Sequence, residues 1–385
     1  MKYFFRHEFW LGIGFGLGSL TSLRLIGPIG MSEIILLSTV LTMLFKHPDT
    51  LLNFSFSRYG AFKVYLLLTM LIIFPIATLT NIWGGYSENA DPIYLISFIF
   101  SAILLIVSVE YFIKYRLDPL ILTYFYALAF IIPNLILILF GIDPGNHANR
   151  YSGFAENPNQ ITFYSAPLML LIAMFINKFR TILFLLVLLI TLNTASDSFI
   201  LYILIVSAAY IYMQIFASKR YTFIARFTFF CSFTVLTIFT FIFLFQKELA
   251  FYWNLADEAG VRFSLIKNGF AAAIEAPLLG HGSGRFSGIS APFLGWEAHN
   301  TPIDLMTNFG ILLPFLIYLV MFSASIVLFK NKSYFASALV LGLIESSIFH
   351  FSGRHFIFWF GLGITSLIAF NLTSSNKFFD ILIKK

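Results

Sequence analysis

Five arginines, Arg24, Arg150, Arg262, Arg285 and Arg354, and two histidines, His281 and His299, stand in or beside connectors between long apolar runs. Guanidinium groups fixed near one another hold a phosphate or diphosphate through paired N–H donors. A histidine among them can accept the proton of an attacking hydroxyl. The chemistry open to such a set is transfer of a group from a phosphate-linked donor, with cations stabilising the departing anion. No His/Cys/Asp/Glu run has metal-ligand spacing, and neither an Asp-x-Asp pair nor a Gly-x-Ser-x-Gly elbow occurs, so neither metal nor cofactor is expected.

Three clusters carry all of these residues but Arg24 and Arg354. In the first, Arg150 precedes Asn157-Pro158-Asn159, which reads as an N-cap followed by proline at the first helical position. A positive helix end beside a guanidinium is an anion site; Asn157 and Asn159 either cap the helix or touch substrate. In the second, Arg262 opens an amphipathic helix with Phe263, Ile266, Phe270 and Ile274 on one face, and Pro277-Leu278-Leu279-Gly280-His281-Gly282-Ser283-Gly284-Arg285 follows. This glycine run is a flexible, close-approach turn without the lysine and spacing of a nucleotide loop. Arg262 and Arg285 either reach a phosphate or meet lipid headgroups, and His281 is structural or substrate-binding. In the third, His299 and Asn300 stand before Thr301-Pro302, with Thr301 expected as cap and Asp304 reaching back to the helix start. Arg354-His355 lies in a short turn and joins the same cavity or snorkels. Arg24 and Glu33 are expected to pair, and Asp197 to cap the helix that follows it.

The elements that position these clusters are apolar helices. Of 385 residues, 59% are hydrophobic and 11% charged, with 49 Phe and a mean hydropathy of +0.87. A soluble domain carries about 25% charged residues. The fold class expected is all-α: a polytopic bundle of about 12 transmembrane helices in a single membrane domain over 1–385. Long runs rather than alternation argue against a β-barrel. Expected spans are 9–26, 31–45, 61–82, 92–113, 119–142, 158–177, 180–194, 198–217, 223–246, 302–329, 334–350 and 355–374. The cationic connectors Lys46/Arg58/Lys63, Lys114/Arg116, Lys178/Arg180, Lys219/Arg220/Arg226 and Lys330/Lys332 then share one side, cytoplasmic by the positive-inside rule, with both termini. Segment 247–300 is expected to be one large outer loop with an interfacial amphipathic helix. The net charge of +6 reflects this topology, not nucleic-acid binding. No cleavable signal peptide, internal repeat or separate soluble domain is read. Cys231 is the single cysteine, which excludes an intramolecular disulfide.

Arg150-x-x-Gly153-Phe154-x-x-Asn157-Pro158-Asn159 before a span, an arginine-led helix, Pro277-Leu278-Leu279-Gly280-x-Gly282, and His299-Asn300 before a span carrying Asn308-Phe309-Gly310-Ile311-Leu312 resemble the bacterial O-antigen polymerase and O-antigen ligase superfamily. The span count extends the resemblance over nearly the whole chain; its motifs are confined to 150–160 and 261–312. It implies a metal-independent inner-membrane glycosyltransferase whose donor is an oligosaccharide on undecaprenyl diphosphate, and it makes segment 247–300 a periplasmic loop. A polymerase moves the chain onto the next lipid-linked repeat unit, with a chain-length regulator protein as a further partner. A ligase moves it onto lipid A-core. By matching positions, Arg150 and Arg262 hold the diphosphate and His299 assists the acceptor hydroxyl. The family pattern often has an arginine in the hairpin where this chain has Asp197, so Arg285 or Arg354 would replace that contact. A flippase for the same lipid-linked glycan is the alternative from another class, with Glu345 and the glycine-rich first span in its favour.

Overall fold

The computed structural model describes residues 6–26, 29–52, 57–83, 91–115, 117–145, 150–155, 157–218, 258–287, 296–350 and 352–370. Their helices are α1 (His7–Leu17), α2 (Met31–Lys46), α3 (Asp49–Leu52), α4 (Arg58–Leu68), α5 (Phe74–Trp83), α6 (Pro92–Lys114), α7 (Pro119–Leu139), α8 (Pro158–Phe175), α9 (Arg180–Asn193) and α10 (Asp197–Ala217). After these come α11 (Glu258–Glu275), α12 (Thr301–Phe309), α13 (Leu312–Lys330), α14 (Tyr334–Ile348) and α15 (Phe356–Ala369). A π-helical turn, Thr69–Ile73, joins α4 to α5. The strands β1 (Arg24–Ile26) and β2 (Ile29–Gly30) form an antiparallel pair.

Several helix starts are encoded by an Asx-Pro pair. Asp91-Pro92, Asp118-Pro119 and Asn157-Pro158 open α6, α7 and α8, and in each the Asx side chain accepts from a first-turn N–H. By length and composition, five described helical stretches can cross a membrane: Arg58–Thr80, Ile93–Lys114, Pro119–Leu139, Asp197–Ala217 and Leu312–Lys330. α9, α14 and α15 are shorter apolar helices. The expected span at 223–246 lies outside the described residues.

Three expected boundaries move. The first stretch stops being helical at Leu17, and turns and the strand pair follow. The stretch expected over 302–329 is two helices, broken at Gly310, whose φ of 77° is outside the helical region. The span expected from 61 begins at Arg58, so Lys63, grouped with the connector cations, lies well inside α4 with 1% exposure. Its Nζ is 2.8 Å from Glu110 of α6 and donates to the Thr50 carbonyl at 2.7 Å. A buried ammonium is tolerable only with such partners. Glu33 does not pair with Arg24: its carboxylate accepts from Gly30 N and Ser32 Oγ, at the start of its own helix.

The core is aromatic. Phe15 of α1 stacks on Phe360 of α15 at 3.8 Å. Phe98 of α6 stands edge-on to Phe74, Phe309 and the fully buried Trp359. These contacts bind α1, α5, α6, α12 and α15 into one bundle with two distinct ends. At one end lie the starts of α6, α8, α10, α12 and α15, with the loop residues 143–145, 150–155, 194–196, 276–287 and 296–300. At the other lie Lys46, Lys63, Lys114, Lys178, Arg180, Lys330 and Lys332, so the side-by-side grouping expected of these cations is a property of the fold. α1 begins and α15 finishes at this second end, where Glu8 accepts from Asp118 N and Phe370 meets Tyr59 and Phe62.

Candidate functional site

Arg150 sits where α8 begins, on a loop fastened from several sides. Ser152 bonds Asp143 through its backbone N–H and its hydroxyl. The Tyr151 hydroxyl meets Asn134 of α7, and Gly145 N donates to Gly153 O. The arginine's Nε donates to Thr194 O at 3.1 Å, and its terminal nitrogen donates to Asn159 Oδ1 at 3.0 Å. Asn159 Oδ1 also accepts from Ser196 Oγ at 2.7 Å. Asn157 is the N-cap, as expected, accepting from Asn159 N at 2.9 Å. The two asparagines therefore build the helix start and orient Arg150. Both guanidinium contacts are to neutral acceptors, and among the described residues no carboxylate pairs with Arg150. A half-buried cation held in place at a positive helix end is an electrostatic site for an anion.

A polar seam runs from this corner to the third cluster. Ser196 bonds Ser198, Ser198 bonds His350 Nε2, and the His350 carbonyl accepts from Thr301 N and Oγ1. Asn300, not Thr301, is the N-cap of α12: its Oδ1 accepts from Ile303 N, and its Nδ2 donates to Ile348 O, pinning the loop to the end of α14. Thr301 takes the first helical position because its hydroxyl is engaged with His350 and Ser352. Ser196, not Asp197, is likewise the residue before α10. His299 is exposed, with a left-handed φ of 50°, a region that few non-glycine residues adopt.

Asp304 reaches back as expected, accepting from Ala298 N at 3.2 Å, Asn300 N at 3.4 Å and Ser287 Oγ at 3.4 Å. It lies in the short helix before the apolar α13. Burial, and then the nearby Glu297 charge, push its carboxyl up to about 8. An unfolded aspartate titrates near 3.9. Between these values the folded chain keeps a proton that the unfolded chain has lost, so stability from this group is full at low pH and declines as pH rises. The expected result is that the stability advantage of the native chain over Asp304→Asn shrinks between pH 5.5 and 7.5. The slope should be about 1.4 kcal/mol per pH unit, measured as unfolding in detergent across that range. A pH-independent difference would rule out a neutral Asp304.

The glycine run crosses the bundle end rather than swinging freely. Gly280 and Gly282 have φ of 69° and 80°, and a Cβ on either would stand 2.4 Å from backbone, of Asn308 and of Thr78 respectively. Backbone bonds from His281 N to Thr307 O and from Gly282 N to Asn308 O continue the crossing, as do those from Ser283 N to Thr78 Oγ1 and Gly284 N to Asn308 Oδ1. His281 has structural contacts: its Nε2 bonds the Ala272 carbonyl of α11 at 2.8 Å and its ring lies against Phe286.

This crossing delivers Arg285 to a group that sequence reasoning missed. Tyr94 of α6 lies between Arg285 and Arg354, whose guanidiniums stand 5.3 and 4.8 Å from its ring centroid. The Tyr94 hydroxyl donates to Glu297 and accepts from both arginines. Arg354 bonds Glu297 at 2.6 Å, and Arg285 lies 3.8 Å from both Glu297 and Asp91. Among the described residues two cations face two carboxylates here, whereas Arg150 forms no ion pair. Burial and the adjacent Arg354 lower His355 to about 3, so its ring adds no charge near neutrality. The signals for Tyr94 and Glu297 were slight: one follows the Asp91-Pro92 cap and the other stands two residues before His299.

Arg262 lies in the second turn of α11; its side chain, like that of Phe263, is outside the described residues. Of the remaining expected lipid face, Ile266 is half-buried and the other two residues are exposed. Phe270 and Ile274 are exposed together with Leu278, whereas Leu265, Ala272 and Ala273 are buried. The fold thus places Arg150, Asn157, Asn159, His281, Arg285, His299, Asn300 and Arg354 at one end of the bundle and connects the Arg150 corner to the 297–304 loop by hydrogen bonds. No protein-family model matches the chain, and no curated protein matches it in sequence.

Proposed function

We propose that this chain is a metal-independent glycosyltransferase of the inner membrane, polymerising a surface polysaccharide from an undecaprenyl-diphosphate-linked oligosaccharide at the periplasmic face. The observation that carries the reading is Arg150: a guanidinium aimed by two neutral acceptors, at a helix N-terminus, with no described carboxylate against it. In this reading Arg150 and Arg262 hold the diphosphate. The acceptor hydroxyl attacks the anomeric carbon, the bond from that carbon to the phosphate oxygen breaks, and undecaprenyl diphosphate leaves as an anion. His299 takes the hydroxyl proton or orients the hydroxyl. The Tyr94–Glu297 group with Arg285 and Arg354 holds the loop that presents His299 and Asn300. The O-antigen ligase reaction is the alternative with the same donor and a lipid A-core acceptor.

Glu345 of α14 favours a second reading, a flippase for the lipid-linked glycan. It is buried and neither carboxylate oxygen is hydrogen-bonded among the described residues, as expected of a group that changes partners during transport. One experiment separates the three readings: the glycan ladder on a gel from cells carrying Arg150→Ala, Arg262→Ala or His299→Ala at matched protein levels. Collapse to a single-repeat band in each is the result expected. Polymer left on its carrier with no lipid A-linked bands would point to the ligase, and loss of all glycan to the flippase. An unchanged ladder, where no other such enzyme is present, would sink the catalytic reading.

A further inference from the structure

The end of the bundle opposite the candidate site holds a groove of about 1040 Å³ between α8, α9, α10 and the α13–α14 turn. Its apolar base is a row of three rings from three helices. Phe335 of α14 lies 5.5 Å from Phe184 of α9 and 5.7 Å from Tyr210 of α10. Its rim carries Arg180, Lys330 and Lys332, all exposed, and no Asp or Glu lines it. None of the three cations forms an ion pair among the described residues.

Two helices begin in this groove. Arg180 and Thr181 are the first residues of α9, and Tyr334, Phe335 and Ala336 the first of α14. Neither helix has a side-chain cap, so the positive ends of two helix dipoles add to three full charges. The turn that presents Lys332 is held in a left-handed conformation, with φ of 61°, by bonds from Lys332 N to Phe329 O and from Ser333 N to Leu328 O. The backbone that presents Lys332 to the rim is thus a fixed feature of the fold. Three like charges gathered around an apolar slot repel one another unless an anion joins them.

We propose that this groove binds an anionic glycerophospholipid, with its phosphate among Arg180, Lys330 and Lys332 and the upper parts of its acyl chains over Phe184, Phe335 and Tyr210. The volume is roughly thirty times the ~30 Å³ share of a water molecule, room for a glycerophosphate head and the first methylenes of its chains. The charge fits an acidic lipid and not a zwitterionic one. Basic pockets between membrane helices on the cation-rich side are suited to such headgroups. α14 runs from this groove to Ile348 and His350 at the far end, so a lipid seated here braces the helix that anchors Asn300 and Thr301. The proposal stands on the groove alone and holds whichever glycan reaction the other end performs.

The test uses the full-length protein purified in a neutral detergent, with native mass spectrometry and thermal unfolding as readouts. Probes are phosphatidylglycerol, phosphatidylcholine and inorganic phosphate. Phosphatidylglycerol should be retained and should raise the unfolding temperature, with little effect from phosphatidylcholine. Arg180→Ala/Lys330→Ala/Lys332→Ala should bind phosphatidylglycerol about 10²-fold more weakly, at roughly fivefold per lost cation. Because all three side chains are exposed, its unfolding temperature without lipid should match the native value. Lys332→Glu, a single change, should weaken binding in the same sense if the triple variant folds poorly. Equal retention of the two lipids, unaltered binding by both variants, or inorganic phosphate matching the lipid at equal concentration would each overturn the proposal.

Discussion

Arg150→Ala is expected to lower the rate of glycan transfer by about 10²–10³ with little change in folding, the loss seen when one fixed donor to a departing oxyanion is removed. The guanidinium's partners limit the structural damage. Asn159 Oδ1 loses one donor but keeps its bond from Ser196 and the Asn157 cap is untouched, so Thr194 O is the acceptor left without its partner, a change of about 1 kcal/mol. Arg150→Lys should recover less than tenfold of the rate. A lysine keeps the charge but cannot donate to Thr194 O and Asn159 Oδ1 together while facing substrate. Asn159→Ala should give an intermediate loss, because it frees the guanidinium to swing without removing it, and it should lower kcat more than it raises KM. Single-turnover rates with a purified lipid-linked repeat unit, beside unfolding temperatures, decide the matter. Full rescue by lysine, or a rate loss that follows the fraction of folded protein, would remove Arg150 from the chemistry.

What the sequence makes legible is governed by how local the determinant is. Asn157-Pro158 specifies a helix start within two residues, and the structure has that cap where it was read. The separation of connector cations from outer-loop arginines follows from hydropathy alone and reappears as the two ends of the bundle. The Thr301 cap was misread because Thr301-Pro302 fits the local rule while the decisive contacts come from far away. His350 and Ser352, about fifty residues on, take the threonine hydroxyl and leave capping to Asn300. Lys63 reads as a connector cation at the edge of a span because the partner that lets it be buried, Glu110, lies 47 residues away on another helix. Tyr94 was invisible for the same reason: its importance arises from Arg285 and Arg354, brought to it by the glycine crossing and the turn before α15. The break at Gly310 was hidden by uninterrupted hydropathy, since α12 and α13 read together as one apolar run.

The Arg354–Glu297 contact gives the second large effect, and charge balance indicates its direction. Glu297 has a side chain only 10% exposed and depends on Arg354 at 2.6 Å, with Arg285 farther off at 3.8 Å. Arg354→Ala leaves that carboxylate short of a cation beside buried Asp304. The expected loss of folding stability is about 2–3 kcal/mol, below the 3–5 typical of a fully buried pair because Arg354 retains 31% exposure. The glycan ladder should then weaken through loss of the 297–304 loop that carries His299. Arg354→Ala/Glu297→Gln removes both charges and keeps an acceptor for the Tyr94 hydroxyl, so it should regain stability to within about 1 kcal/mol of the native chain. If the corner is structural, the double variant regains most of the ladder, whereas Arg150→Ala stays inactive in either background. If the double variant folds and still makes no polymer, Arg354 acts on the substrate directly. The diphosphate would then span both corners of this end of the bundle. Among the described residues Arg285 and Arg354 face Asp91 and Glu297, whereas Arg150 has no carboxylate partner. This contrast argues for the first outcome, because on the proposed reading a departing diphosphate is stabilised best by a cation not already held in an ion pair.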